Sequence, residues 1–131
     1  MKQLKYLDIR DNKLGDECLQ YVSSCKSLTD LSVSKNSLTD ASTHSLPLME
    51  SLTYLDITNN FLTDESVSNI VQLAKLTHLY LMSNQLTIDG AKQLILKLPS
   101  LKTLDLRFNK LTTEQKEELR AEKPEALQLF C

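Results

Sequence analysis

The sequence predicts a curved α/β solenoid, with a parallel β-sheet on its concave face and helices on its convex face. Three observations carry that prediction. Apolar residues recur with one long fixed period, an asparagine stands at the same place in every period, and hydroxyl and carboxylate residues follow the asparagine as they do where helices begin.

Five segments of the 131-residue chain read L-x-x-L-x-[L/I/V]-x-x-N-x-L. They are Leu4, Leu7, Ile9, Asn12, Leu14; Leu28, Leu31, Val33, Asn36, Leu38; Leu52, Leu55, Ile57, Asn60, Leu62; Leu76, Leu79, Leu81, Asn84, Leu86; and Leu101, Leu104, Leu106, Asn109, Leu111. Their first leucines stand at 4, 28, 52, 76 and 101, so the period is 24 residues with a single step of 25. A truncated sixth copy starts near 124, with Pro124 at the first leucine position and Leu127 and Leu129 after it. Residues 1–131 are therefore expected to form one repeat domain.

Leu7 and Ile9, like their counterparts, are two residues apart, so they share one face of a short strand and point into the core. The asparagine stands where the chain turns, and its amide can satisfy backbone groups of its own and the adjacent coil, which predicts an asparagine ladder. Thr39-Asp40, Thr63-Asp64-Glu65 and Thr112-Thr113-Glu114-Gln115 supply caps for helices. Within those helices Leu19/Val22, Val67/Ile70 and Ala91/Leu94 fall three apart and face the sheet. Pro47 removes an N–H and crowds the preceding turn, so the second helix is expected to be short or distorted, about two turns or fewer.

Strands pack about 4.8 Å apart and helices about 8–10 Å apart, so the stack bends with the strands inside. No coil buries its own face, and the two ends are the weak points. At the N-terminal end the first strand begins at once, leaving Leu4, Leu7, Ile9 and Leu19 open to an added chain with Lys2 and Lys5 as guards. At the other end the charged helix over Thr112–Lys123 is expected to shield the last coil.

Fifteen basic and 17 acidic residues are interspersed at a net charge of −2, the signature of neither a nucleic-acid partner nor a polybasic membrane surface. No apolar stretch approaches the roughly 18 residues of a membrane span, and Met1–Asp11 lacks a signal-peptide run. Cys18 and Cys25, seven apart on what reads as one helix, are too far apart along its axis for a disulfide, and Cys131 is terminal. This predicts packing cysteines in a reducing, intracellular setting.

The repeated L-x-x-L-x-L-x-x-N-x-L resembles the leucine-rich-repeat family over about residues 4–131. Its helical half is similar to the ribonuclease-inhibitor-like subclass. The 24-residue length with Gly90-Ala91-Lys92-Gln93-Leu94-Ile95 is similar to the short G-A-x-x-L-A repeats of bacterial effectors, although the equivalent pairs elsewhere are Cys18-Leu19, Ser42-Thr43, Ser66-Val67 and Gln115-Lys116. The resemblance implies recognition of a protein on the concave surface and its rims, with no activity of its own, in the host cytosol if the chain is a delivered effector. Such effectors pair the repeats with an F-box; none is read here.

Alternation assigns the outward columns of the strands. The first is Tyr6, Asp30, Tyr54, His78, Thr103; the second Asp8, Ser32, Asp56, Tyr80, Asp105; the third Arg10, Ser34, Thr58, Met82, Arg107, with Phe108 at the following edge. Tyr54, Asp56, His78, Tyr80, Met82, Asp105 and Arg107 cluster on the third to fifth strands, and tyrosine, methionine and arginine are enriched at interface cores. That cluster is the expected partner-binding patch, and Phe108 either joins it or folds under the turn.

No H-E-x-x-H, paired C-x-x-C, G-x-S-x-G or phosphate-cradling glycine loop is present, so neither catalysis, nor a metal, nor a cofactor is expected. The expected function is recognition of another protein, as part of a bacterial effector or a ubiquitin-ligase adaptor. The alternative is a structural protein that self-associates through its uncapped first strand.

Overall fold

The computed structural model describes residues 3–131. Six three-residue strands, β1 (Tyr6–Asp8), β2 (Asp30–Ser32), β3 (Tyr54–Asp56), β4 (His78–Tyr80), β5 (Thr103–Asp105) and β6 (Gln128–Phe130), pair in chain order as one parallel sheet. The register aligns Leu7, Leu31, Leu55, Leu79, Leu104 and Leu129 in one row. Leu31, Leu55, Leu79 and Leu104 are fully buried, as are Leu28, Leu52 and Leu76 before the strands and Val33, Ile57, Leu81 and Leu106 after them. From the opposite layer Leu19, Leu46, Ile70, Leu94 and Leu119 close the core. Each such side chain withdrawn from water contributes on the order of 1.5–3 kcal/mol.

The asparagines form the expected ladder. Asn60 Oδ1 accepts from the N–H groups of Asn36 (3.0 Å) and Leu38 (2.9 Å) in the preceding coil, while its Nδ2 donates to the carbonyl of Ile57 at 3.0 Å. Asn36, Asn84 and Asn109 repeat the pattern toward Leu14, Leu62 and Leu86. The residue before each asparagine (Asp11, Lys35, Asn59, Ser83 and Phe108) adopts a left-handed backbone, with φ between 55° and 60°.

A second ladder was not anticipated. Asp16 accepts from the N–H and hydroxyl of Thr39, each at 2.6 Å; Asp40 does the same for Thr63 (2.8 and 2.5 Å), and Asp64 for Thr87. The aspartates thus hold the threonine of the next coil instead of only opening their own helix. Ile88 stands where the following aspartate would be, and Thr112 is held instead by a capping box with Gln115, whose Oε1 accepts from the Thr112 N–H at 2.9 Å. Gly90 is required by this ladder: a Cβ there would collide with Asp64 Oδ1.

The helical layer is uneven. It runs α1 (Glu17–Val22), a 3₁₀ helix over Asp40–Leu48, a 3₁₀ turn over Asp64–Ser66 that continues as α2 (Val67–Ile70), α3 (Ile88–Lys97) and α4 (Thr113–Glu122). Pro47 distorts the second-repeat helix as expected but does not shorten it to two turns or fewer. Its nine residues wind as 3₁₀, in which the i→i+3 pattern avoids the clash of a proline ring with the carbonyl four residues back.

Three sequence expectations are corrected. In the sixth copy Leu129, not Leu127, pairs with Leu104. Leu127 takes the role of a first leucine, its N–H donating to Pro124 as that of Leu101 does to Leu98, each at 3.1 Å; a shift of two residues keeps the same faces inward, which is why alternation alone could not detect it. Cys25 lies beyond α1, where its N–H closes a turn on Val22, so the two thiols do not share a helix; all three cysteines are free. At the N-terminal end Leu4, Leu7 and Ile9 are only partly buried and Leu14 is 43% exposed, but Leu19 is completely covered because the Asp40–Leu48 helix packs on α1. Lys2, expected to guard this end, lies outside the described residues.

Candidate recognition surface

The outward residues of the sheet form the surface opposite the helices. Across β3 and β4 three rings meet: Tyr54 stacks on His78 with centroids 6.2 Å apart and tilts against Tyr80 at 5.3 Å. His78 and Tyr80 are held by their strand, and His78 Nδ1 lies 2.8 Å from the Thr77 hydroxyl, so its ring is oriented by its neighbour and not by an acidic residue. Burial pushes the Tyr54 phenol above its usual pKa; Asp56, Tyr80 and Tyr6 add to the rise and Arg10 opposes it. Asp56 Oδ1 accepts from the Thr58 N–H at 3.0 Å.

On β5 the Arg107 guanidinium is chelated by Asp105, with Nε 3.0 Å from Oδ1 and Nη2 2.7 Å from Oδ2, which raises the arginine pKa further. The guanidinium also lies 5.4 Å from the centre of the Phe130 ring. A shallow groove of about 630 Å³ runs over the sheet, lined by Arg10, Tyr54, Asp56, Tyr80, Met82 and Arg107 among others.

The structure therefore brings Tyr54, Asp56, Tyr80, Met82, Asp105 and Arg107 onto one groove and places His78 beside it. The geometric expectation for Asp105 is corrected: it is 3% exposed, because a short side chain beneath a long chelated arginine is covered. Ser32, Ser34 and Thr103 are buried for the same reason of length. Phe108 does not fold under the turn; it is 74% exposed on its left-handed backbone. Sequence reasoning missed Phe130, and it placed Arg10 on this face but outside the cluster of the third to fifth strands. Phe130 would have joined the second column had the sixth strand been registered by its turn, and Arg10 pairs with Asp8 at 2.8 Å.

No group of three or more His, Cys, Asp or Glu among the described residues is placed to hold a metal ion, and no helix there is long and apolar enough to cross a membrane.

The repeat geometry agrees with comparisons to known proteins. Models of the leucine-rich repeat match residues 2–23 and 26–86, and a two-copy model matches 74–119. No curated protein sequence matches the chain. Among solved structures it is similar to a leucine-rich-repeat protein of Leptospira interrogans, with 29% identity and a TM-score of 0.61 over 84% of this chain and 27% of that one. It also shares the fold of the leucine-rich-repeat ectodomain of the receptor kinase SOBIR1 from Arabidopsis thaliana, with 21% identity and a TM-score of 0.56 over 95% of this chain and 65% of that one. The chain thus spans less than two thirds of the length of either. Domains of this type generally mediate protein–protein interaction and are generally non-catalytic recognition modules. With the leucine period, the asparagine ladder and the parallel sheet all in place, the chain belongs to the leucine-rich-repeat family.

Proposed function

We propose that the chain captures a protein partner on its concave sheet face, in the groove bounded by Tyr54, Asp56, Tyr80, Met82 and Arg107, with His78 and Phe108 at its margins. One observation carries the reading: the packed rings of Tyr54, His78 and Tyr80 stand half-exposed beside the groove instead of in the core. Such residues provide large rigid contact area at low entropic cost. Asp105 acts from beneath, by fixing Arg107. Phe108 supports the reading further, since a bulky exposed residue is kept in a left-handed backbone that asparagine would adopt more easily.

The helical half of the repeats favours the ribonuclease-inhibitor-like subclass, and the 24-residue length with Gly90-Ala91 favours its short G-A-x-x-L-A variant, and with it the recognition part of a bacterial effector or ubiquitin-ligase adaptor. Three free cysteines, two of them buried, favour the reducing cytosol, that of a host if the protein is delivered there.

Peptides selected against the chain from a random display library test the surface. Affinity falls at least about tenfold in the Tyr54→Ala/Tyr80→Ala variant, the cost of losing central aromatic anchors, and is unchanged in Leu96→Ala on the opposite face. The reverse pattern overturns the reading.

A second reading rests on Leu4, Leu7, Ile9 and Leu14, the incompletely covered apolar residues of the first repeat. Self-association across that face would make the sedimentation coefficient rise with concentration, and Leu14→Lys would abolish the rise. A coefficient independent of concentration excludes it.

A further inference from the structure

The repeats can be compared with one another. Three of them carry an aspartate in the middle column of the sheet: Asp8, Asp56 and Asp105. In two, an arginine two residues further on returns to it, Arg10 to Asp8 at 2.8 Å and Arg107 to Asp105 at 2.7 Å. In the third the corresponding residue is Thr58, which gives Asp56 a backbone N–H but no charge.

On the following strand the neighbours of Asp56 and Asp105 match. In register beside Asp105 on the next strand is the aromatic Phe130, and in register beside Asp56 on the next strand is Tyr80. Around Asp105 that pairing holds a guanidinium on two carboxylate oxygens with its carbon 5.4 Å from the ring centre. Asp56 is half-exposed, whereas Asp105 under its arginine is buried. A second observation falls at the same place. Ser32, in register with Asp56 on the other side, is 6% exposed, and its hydroxyl is the one buried side-chain polar atom without a hydrogen-bond partner among the described residues. Asp56 and Ser32 line a hollow of about 290 Å³ with Tyr54, Tyr6, Asp30, Asp8 and Arg10, the arginine being turned to Asp8 rather than to Asp56.

We propose that the arginine absent from the third repeat is supplied by the partner: an arginine side chain of the bound protein seats its guanidinium on the Asp56 carboxylate, against the Tyr80 ring. This rests on the concave face being the recognition surface. Guanidinium is favoured over ammonium because its planar fork meets both carboxylate oxygens at once and stacks on an aromatic face. Burial first and the Asp56 charge second raise the Tyr54 phenol, so the Asp56 carboxylate is close enough to that ring to act on it.

The test is a titration of the ¹⁵N-labelled chain with Nα-acetyl-arginine amide, with the matching lysine amide, and with the citrulline amide as a neutral isostere. Saturable shifts are expected at the amides of residues 32, 56, 58 and 80 with the arginine amide, weaker ones with lysine and none with citrulline. Asp56→Asn lowers the arginine affinity about tenfold or more, as loss of a charge-assisted contact does. Thr58→Arg fills the slot from within, as Arg10 and Arg107 do in their own repeats, and abolishes the shifts while the spectrum stays folded. Absence of saturable shifts in the unmodified chain overturns the proposal, as do shifts that persist in Thr58→Arg. Library-selected peptides that depend on Tyr54 and Tyr80 but compete without any arginine would remove this inference and leave the concave reading standing.

Discussion

Tyr54 and Tyr80 lean on each other diagonally across β3 and β4, with ring centroids 5.3 Å apart and planes inclined at 42°. Neither ring reaches the leucine core, which lies on the other side of the sheet, so their contact organises the surface and not the fold. The pair lines one groove together with Asp56, Met82 and Arg107.

The first prediction concerns pH. Burial, with Asp56, Tyr80 and Tyr6 behind it, raises the Tyr54 pKa in the folded state, so the fold favours the neutral phenol. Tyr54 leaves stability unaffected below the unfolded value of about 10 and lowers it as pH rises from there through the folded value. Denaturation midpoints followed into that range should fall more steeply for the unmodified chain than for Tyr54→Phe. Equal slopes would contradict the assignment.

Gly90→Ala tests the aspartate ladder. The added Cβ meets the carboxylate that holds the Thr87 N–H and hydroxyl, so either α3 or Asp64 must move. The expected loss is about 1–3 kcal/mol, as for other overpacked sites. Asp64→Ala/Gly90→Ala should lose less than the two single losses added together, since the clash disappears with the carboxylate. Strict additivity in urea denaturation would count against the ladder.

Asn60→Ala and Asn12→Ala should differ widely. Removing the buried Asn60 leaves the N–H groups of Asn36 and Leu38 without acceptors, at about 1–3 kcal/mol each. The exposed Asn12 donates to the Ile9 and Arg10 carbonyls at the end of the stack, where water replaces it, so its loss should cost less than about 1 kcal/mol. Similar losses for both would show that the ladder is not cooperative along the stack.

Phe108→Asn separates stability from recognition. Asparagine accepts the left-handed backbone at φ 60° more readily than phenylalanine, which should stabilise the chain by about 0.5–1 kcal/mol. A higher melting temperature with weakened binding of library-selected peptides would place Phe108 at the rim of the interface. A lower melting temperature would show that the exposed ring packs after all.

The scaffold was legible because the same physical demand recurs in every coil. Each stacked strand must bury two alternating residues and each turn must satisfy its backbone, so leucine and asparagine repeat wherever the stack needs them. The aspartate ladder has an equally regular spacing, Asp16, Asp40 and Asp64 answering Thr39, Thr63 and Thr87. It was hidden because Thr-Asp also reads as a helix cap, and a single coil cannot distinguish a bond within the coil from one between coils. The face of the candidate site followed from alternation alone. Exposure did not, because it depends on the length of neighbouring side chains: Asp105 and Asp56 occupy one column, yet an arginine covers the first and a threonine leaves the second open. The sixth strand was misregistered since Leu127 and Leu129 have the same parity, and only the turn at Pro124 separates the two alignments.

Amide hydrogen exchange with and without a library-selected peptide tests the central claim most directly. Recognition on the concave face predicts slowed exchange over residues 54–59, 78–83 and 105–109, with α3 and α4 unchanged. Protection confined to α3, α4 or the Asp40–Leu48 helix, with the strands unaffected, would contradict it.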